Sequence, residues 1–231
     1  MKPAKAAPSR AKTREPQYQR CVELADERVA ELGLMTNQIW RDDPRRLGFV
    51  LARYKFAAKM LRGMDSVLEV GCGDAFGTRV VRQEVGRVTA VDFDPVFVAD
   101  VNRRMDPAWP FECRVHDLLD GPVPGPFDGA YAIDVIEHVR AADADRFVRN
   151  IGASLRPGGV CLIGTPSLES QAHASEQSRA GHVNCMSEPQ LRELMKRHFA
   201  NVFIFSMNDE VVHTGRFDMA NYLAALCCVP R

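Results

Sequence analysis

The chain has 231 residues, 46% of them apolar, and equal numbers of basic and acidic side chains, 30 of each. That length supports a substantial core, and no apolar run approaches the roughly 20 residues of a membrane-spanning helix. The charge is unevenly spread: residues 1–62 hold 14 Lys/Arg against 7 Asp/Glu, leaving 16 against 23 for the remainder. A basic front on an acidic body suits nucleic acid, an anionic small substrate or a solvated tail, and the composition of residues 1–20 favours the tail. The seven cysteines form no C-x-x-C pair and sit mostly in apolar runs. With no signal-peptide core at the start, they read as small buried side chains in a reducing, cytoplasmic setting.

Residues 21–62 read as an N-terminal helical segment. Within it, "DPRRLGFVLARYKFAAKMLRG" starts a helix with Asp43 as N-cap and Pro44 in the first turn. At about 100° per residue, Leu47, Val50, Leu51, Tyr54, Ala57, Ala58 and Leu61 share one side, with Phe49, Phe56 and Met60 opposite. Arg46 and Arg53 line one flank; Lys55, Lys59 and Arg62 line the other. A helix apolar on two sides is covered twice. Either a neighbouring helix covers the second side, or Phe49, Phe56 and Met60 roof a substrate pocket whose basic flanks attract an anion.

From residue 63 a second region runs to the end. Val67–Val70, Val88–Val91, Cys113–Val115, Gly129–Ile133 and Val160–Ile163 are short apolar runs separated by helical patterns or loops. Such runs are expected of parallel strands buried on both faces, in an open doubly wound α/β sheet. Asn201–Ser206 and Tyr222–Val229 lie too close for a helical crossover, so they are expected as an antiparallel pair at the sheet edge, completing seven strands. Ser187 and Gln190 form a capping box ahead of the stripe Leu191, Leu194, Met195 and Phe199. The segments 165–187 and 206–221 read as substrate-specific loops.

"EVGCGDAFGT" at 69–78 places glycines 71, 73 and 77 between a strand and a helix. A dinucleotide site would space them G-x-G-x-x-G to seat a pyrophosphate on the helix N-terminus. Here the spacing is wider, and Glu69 stands where it repels phosphate and favours a cationic ligand. Asp92 ends the second strand, where an acid can accept both ribose hydroxyls. Asp117 follows the third, where a carboxylate can accept from a purine amino group. All lie at strand carboxyl ends, on the rim where this architecture binds ligands.

On these residues the chain resembles the class I S-adenosylmethionine-dependent methyltransferases. The resemblance runs motif by motif over residues 64–166 and more loosely over the last strand pair, and it is greatest for the small-molecule branch whose fourth strand exits through D-x-x-E-H, here Asp134 to His138. It implies the Rossmann-like methyltransferase fold, with S-adenosylmethionine as cofactor and S-adenosylhomocysteine as product. It also implies that Glu69, Gly71, Cys72 and Gly73 cradle the methionine part, that Asp92 binds the ribose, and that Phe93 beside it belongs to the cofactor site. Asp117 and Leu118 would border the adenine, and Ile133 and Asp134 the methionine end. The cofactor bears an ammonium and a sulfonium and no phosphate, which suits an acidic turn.

Methyl transfer needs in-line alignment, worth on the order of 7–11 kcal/mol, and a base when the acceptor is a hydroxyl or amine, worth roughly 10²–10⁴-fold. His182 in "SRAGHVNCMS" is the leading candidate, ahead of His213 and His138. His198 reads as a helix-dipole partner and His116 as part of the adenine rim. No familiar metal-ligand spacing occurs, and no metal is expected. The basic flanks and the polar 165–187 loop point to O- or N-methylation of a small polar or anionic acceptor such as a sugar or sugar nucleotide, with O-methylation ahead. Nucleic acid is not the favoured partner; a homodimer is compatible with this reading. The alternatives are an RNA methyltransferase and a non-catalytic cofactor-binding regulator.

Overall fold

The computed structural model describes residues 11–231. The part of the expected tail in residues 1–10 lies outside the described residues. The chain divides into two units, residues 1–32 and 33–231. In the first, a one-turn helix at Pro16–Tyr18 leads into α1 (Gln19–Glu27), so the end of the expected tail is helical. Arg20 forms exposed ion pairs with Glu23 and Glu27.

The second unit is a sheet of eight strands: β1 Ser66–Val70, β2 Arg87–Asp92, β3 Glu112–Val115, β4 Phe127–Ile133, β5 Leu155–Pro166, β6 Phe199–Asn208, β7 Val211–His213 and β8 Tyr222–Pro230. Their order is β3-β2-β1-β4-β5-β8-β6-β7. β1 to β5 pair in parallel, whereas β8 runs antiparallel to both β5 and β6. The expected antiparallel pair is thus present, but β8 lies inside the sheet. The edge beyond β6 is the short eighth strand β7, which the polar 206–221 segment did not announce. Strand order reverses between β1 and β4, the switch point at which such sheets bind ligands.

Seven helices flank this sheet: α2 Leu34–Asp42, α3 Arg45–Met60, α4 Thr78–Arg82, α5 Pro95–Arg104, α6 Ala141–Ser154, α7 Glu176–Gly181 and α8 Glu188–His198. Successive strand residues point to opposite faces. Leu68, Ala130 and Ile163 pack with Phe147 and Ile151 of α6 and with Leu191 and Met195 of α8. Val67, Tyr131 and Leu162 pack with Tyr54, Ala57, Ala58 and Leu61 of the α3 segment. Both faces are therefore covered, as uninterrupted apolar strands require.

α3 begins at Arg45, not at the expected Asp43 cap. The Asp43 carboxylate is taken by the Arg45 guanidinium at 2.8 and 3.2 Å, which removes it from capping. The second apolar side of α3 is partly accounted for by the edge-to-face contact of Phe56 with Phe205 of β6, 5.3 Å between centroids. The capping box before α8 is present, Gln190 Oε1 accepting from the Ser187 amide at 2.9 Å. Among the described residues no helix is long and apolar enough to cross a membrane.

Leu61 is fully buried where the α3 segment meets the sheet. Leu61→Ala is expected to lower the unfolding free energy by about 2–5 kcal/mol, measured by urea denaturation; a loss below about 1 kcal/mol would mean that α3 does not anchor this face.

Candidate functional site

The turn after β1 is built by backbone that only glycine adopts without strain. Gly71 and Gly73 have φ of 69° and 52°. A Cβ on Gly71 would come within 2.5 Å of the Val135 side chain, and one on Gly73 within 2.8 Å of Met35 Sδ. The turn is thus pressed between the exit of β4 and the start of α2. The Gly71 and Cys72 amides donate to the Val91 carbonyl at 2.8 and 3.1 Å, tying the turn to β2.

Asp92 ends β2 almost buried, with one carboxylate oxygen accepting from the Gly73 amide at 2.8 Å and the other from the Asp94 amide at 2.9 Å. Each oxygen keeps further acceptor capacity. Phe93 beside it is 71% exposed, an apolar face with no covering side chain. Asp117 accepts from the Leu119 amide at 2.8 Å, and Leu118 is buried in the core. His116 bonds the Gly121 carbonyl and His198 pairs with Asp145, which gives both local structural roles.

Glu69 differs from the expectation that it faces a ligand. It is 1% exposed, and its two oxygens accept from the Thr78 hydroxyl at 2.5 Å and the Tyr54 hydroxyl at 3.0 Å. Burial pushes its pKa up to about 7 against the opposing hydrogen bonds. The carboxylate therefore joins β1, α3 and α4 behind the turn. Asp74, which the motif reading passed over, accepts from the Thr36 amide at 2.7 Å through one oxygen and from the Phe76 amide at 3.2 Å through the other. It caps α2 from outside that helix. The turn is lined by Asp74, Asp92 and the Phe93 face, acceptor carboxylates and an apolar surface that suit a cationic, phosphate-free adenosine ligand.

At the exit of β4, Asp134 adopts φ 58°, a strained conformation for a non-glycine residue. Arg53 of α3 donates from Nη1 to both of its oxygens, at 2.9 and 2.7 Å, and lies 3.9 Å from the Tyr222 ring centroid. Glu137 is fully buried; one oxygen accepts from the Thr165 hydroxyl at 3.2 Å and the other has no partner. Burial, then the Asp134 charge, raises its pKa to about 8. Its carbonyl accepts from the Val183 and Asn184 amides, which pins the 165–187 loop against the β4 exit.

That pinning brings His182 to His138, with ring centroids 5.1 Å apart. His138 Nδ1 meets the Gly181 carbonyl at 2.9 Å, and His182 Nδ1 meets Gln171 Oε1 at 3.1 Å. With Nδ1 donating in each case, both Nε2 lone pairs are free. Burial, the neighbouring His138 and the charge of Arg46 lower the His182 pKa against the pull of Asp134, so the ring is neutral near pH 7. One ligand atom from each of Glu137, His138 and His182 falls within 4.8 Å of the others, a geometry open to a metal ion. The sequence spacing did not reveal it because His182 comes from a distant loop. His213 lies exposed on β7 opposite Ser206, with no contact to the other two histidines among the described residues.

Residues 39–201 match the family described as a methyltransferase domain, and the chain belongs to that family. It is 35% identical over 115 residues to a probable S-adenosylmethionine-dependent methyltransferase of Mycolicibacterium smegmatis, covering 49% of this chain and 42% of the relative. It is 30% identical over 118 residues to a ubiquinone biosynthesis O-methyltransferase of Methylocella silvestris, covering 50% and 44%. The chain thus spans less than half the length of these curated relatives. Its fold is similar to the putative methyltransferase of Haloferax volcanii solved with the Trm112 activator (TM-score 0.64, 19% identity, 85% of this chain and 96% of that one). It is also similar to the N-methyltransferase NodS of Bradyrhizobium japonicum solved with S-adenosylhomocysteine (TM-score 0.59, 19% identity, 83% and 92%).

The raised pKa of Glu69 has a defined consequence for stability. The folded state holds this proton between the ordinary value of 4.5 and about 7, so the group's contribution is full below pH 4.5 and lost as pH rises through 7. Glu69→Gln is expected to remove a stability decline on the order of 3 kcal/mol across that window. Urea unfolding of both proteins at pH 5 and pH 8 checks this; equal declines would refute it.

Proposed function

We propose that the chain transfers a methyl group from S-adenosylmethionine to a hydroxyl or amine of a small polar acceptor, with O-methylation ahead. The observation that carries the proposal is the glycine turn at the β1/β4 switch point, flanked by Asp92 and packed on Val135 in the β4 exit that also carries Asp134, Glu137 and His138. Methyltransferase-family membership supports the reaction class.

The cofactor, when bound, supplies a methyl group on a positively charged sulfur. Gly71 and Gly73 let its methionine part approach the main chain, and Asp92 takes the ribose hydroxyls. Phe93 would stand beside Asp92 in the cofactor site, the Asp117–Leu118 segment would border the adenine, and Ile133 and Asp134 would border the methionine end. Cys72 contributes a small side chain to the turn.

His182 Nε2 would accept the proton that the acceptor hydroxyl or amine gives up on methylation. The Gln171 contact holds the ring with Nδ1 as donor, which keeps Nε2 available. Glu137 positions the loop that carries His182. His138 and His213 stand behind His182 as alternatives, His138 at the site and His213 at the sheet edge.

Incubating the protein with methyl-labelled adenosylmethionine and a metabolite extract, then identifying the labelled product, tests the reaction class. Asp92→Ala should weaken S-adenosylhomocysteine binding at least tenfold by calorimetry; unchanged affinity would remove Asp92 from the site. His182→Ala should lower turnover about 10²–10⁴-fold with cofactor affinity preserved. Because its pKa lies below the ordinary 6.5, the wild-type rate should be flat above that pH and fall below it. An acid limb retained in His182→Ala would place the base elsewhere.

A further inference from the structure

Glu137, His138 and His182 share a feature that proton transfer alone does not use. Glu137 is fully buried, yet its Oε1 has no hydrogen-bond partner among the described residues. Its other oxygen meets the Thr165 hydroxyl at 3.2 Å. Ionised, this acid is a buried charge with one oxygen unserved; protonated on Oε1, it is a buried O–H with no acceptor. A cation at Oε1 removes the deficit of the ionised form.

The two histidines present matching lone pairs. His138 Nδ1 lies 2.9 Å from the Gly181 carbonyl oxygen, and His182 Nδ1 lies 3.1 Å from Gln171 Oε1. The Gln171 amide nitrogen is committed to the Ser167 carbonyl at 3.1 Å and the Ser170 hydroxyl at 3.3 Å, so the oxygen is the atom that faces the ring. Both Nδ1 atoms therefore carry the proton, and each neutral ring offers Nε2. Metal-binding imidazoles are held in this way, because a carbonyl oxygen on the second nitrogen fixes the tautomer and aims the ring. One ligand atom from each of the three residues lies within 4.8 Å of the others. Ligands about 2.1 Å from a tetrahedral ion stand about 3.4 Å apart, a closure small enough for side-chain torsions. His138 is exposed, which gives an ion a way in.

Two imidazole nitrogens and one carboxylate oxygen suit a divalent transition ion, since Mg²⁺ and Ca²⁺ take oxygen ligands. We propose that Glu137, His138 and His182 bind one such ion, of the Zn²⁺ or Co²⁺ kind, through one carboxylate oxygen and two Nε2 atoms. Three protein ligands leave a coordination position open. The site does not rest on the methyltransferase reading, but it bears on it. The ion and a proton claim the same His182 lone pair, so proton acceptance by His182 belongs to the ion-free protein. An occupied site also ties the 165–187 loop to the β4 exit by ligation, beside the two amides that already donate to the Glu137 carbonyl.

The test uses the full-length protein without added histidines, stripped with EDTA, and follows Co²⁺ binding by visible absorption with Zn²⁺ as competitor. Co²⁺ should bind at one equivalent with the strong absorption of four- or five-coordinate ligation, and Zn²⁺ should displace it. Mg²⁺ in hundredfold excess should not. His138→Ala and His182→Ala should each weaken Co²⁺ at least tenfold. Glu137→Gln, which keeps the shape and removes the charge, should do the same, whereas His213→Ala should stay within twofold of wild type. Circular dichroism and the urea midpoint report folding. If Glu137→Gln does not fold, the two histidine variants, whose rings lie outside the core, decide the outcome. No saturable Co²⁺ absorption, displacement by Mg²⁺, or an affinity untouched by either histidine substitution overturns the site.

Discussion

Behind the glycine turn, a single carboxylate receives hydroxyls from two different helices inside the protein. Glu69 is held by Thr78 at the start of α4 and by Tyr54 in the middle of α3, and it stands on β1 between them. A buried acid without such partners would be strongly disfavoured. With them it fixes the angle at which the chain leaves β1, and hence the position of Gly71 and Gly73. Tyr54 also meets Tyr131 of β4 edge-to-face, 6.1 Å between centroids, so the same knot reaches the strand that delivers Asp134. The two halves of the site are therefore set by one interior contact group.

The fold was legible because its strands are buried on both faces. Val160–Ile163 carries apolar residues at every position and Val67–Val70 at every position but Glu69, a pattern few other arrangements tolerate. β7 was not legible: three residues, two of them exposed, offer no periodicity to read. Asp43 shows a different failure. Its residue type suits a cap, but an arginine two positions on competes for the same carboxylate, and sequence alone does not rank the two partners.

Positions fixed by a single motif can be read from the sequence; residues that converge from distant segments cannot. Asp92 stands where its place at the end of a strand puts it. Glu69 has the right position and the opposite orientation, since a strand residue before a turn can face either the ligand or the core. Asp74, Thr165 and Tyr222 belong to no local pattern, and the periodicity that puts Arg53 on a basic flank of α3 does not announce its pairing with Asp134. Each matters through a partner at least 28 residues away, as Thr165 does with Glu137 and Arg53 with Asp134. The meeting of His138 with His182 depends on two amides donating to one carbonyl, which leaves no trace in side-chain identity.

The outside cap on α2 links that helix to whatever occupies the turn. Asp74 serves the Thr36 amide and the Phe76 amide together, and Met35 rests over Gly73. Displacing α2 would strand a buried acid and uncover the turn in one motion. By reciprocity, anything that tightens the turn also holds the helix down. For any ligand that occupies this turn, affinity and the seating of residues 34–42 would be one equilibrium viewed from two ends.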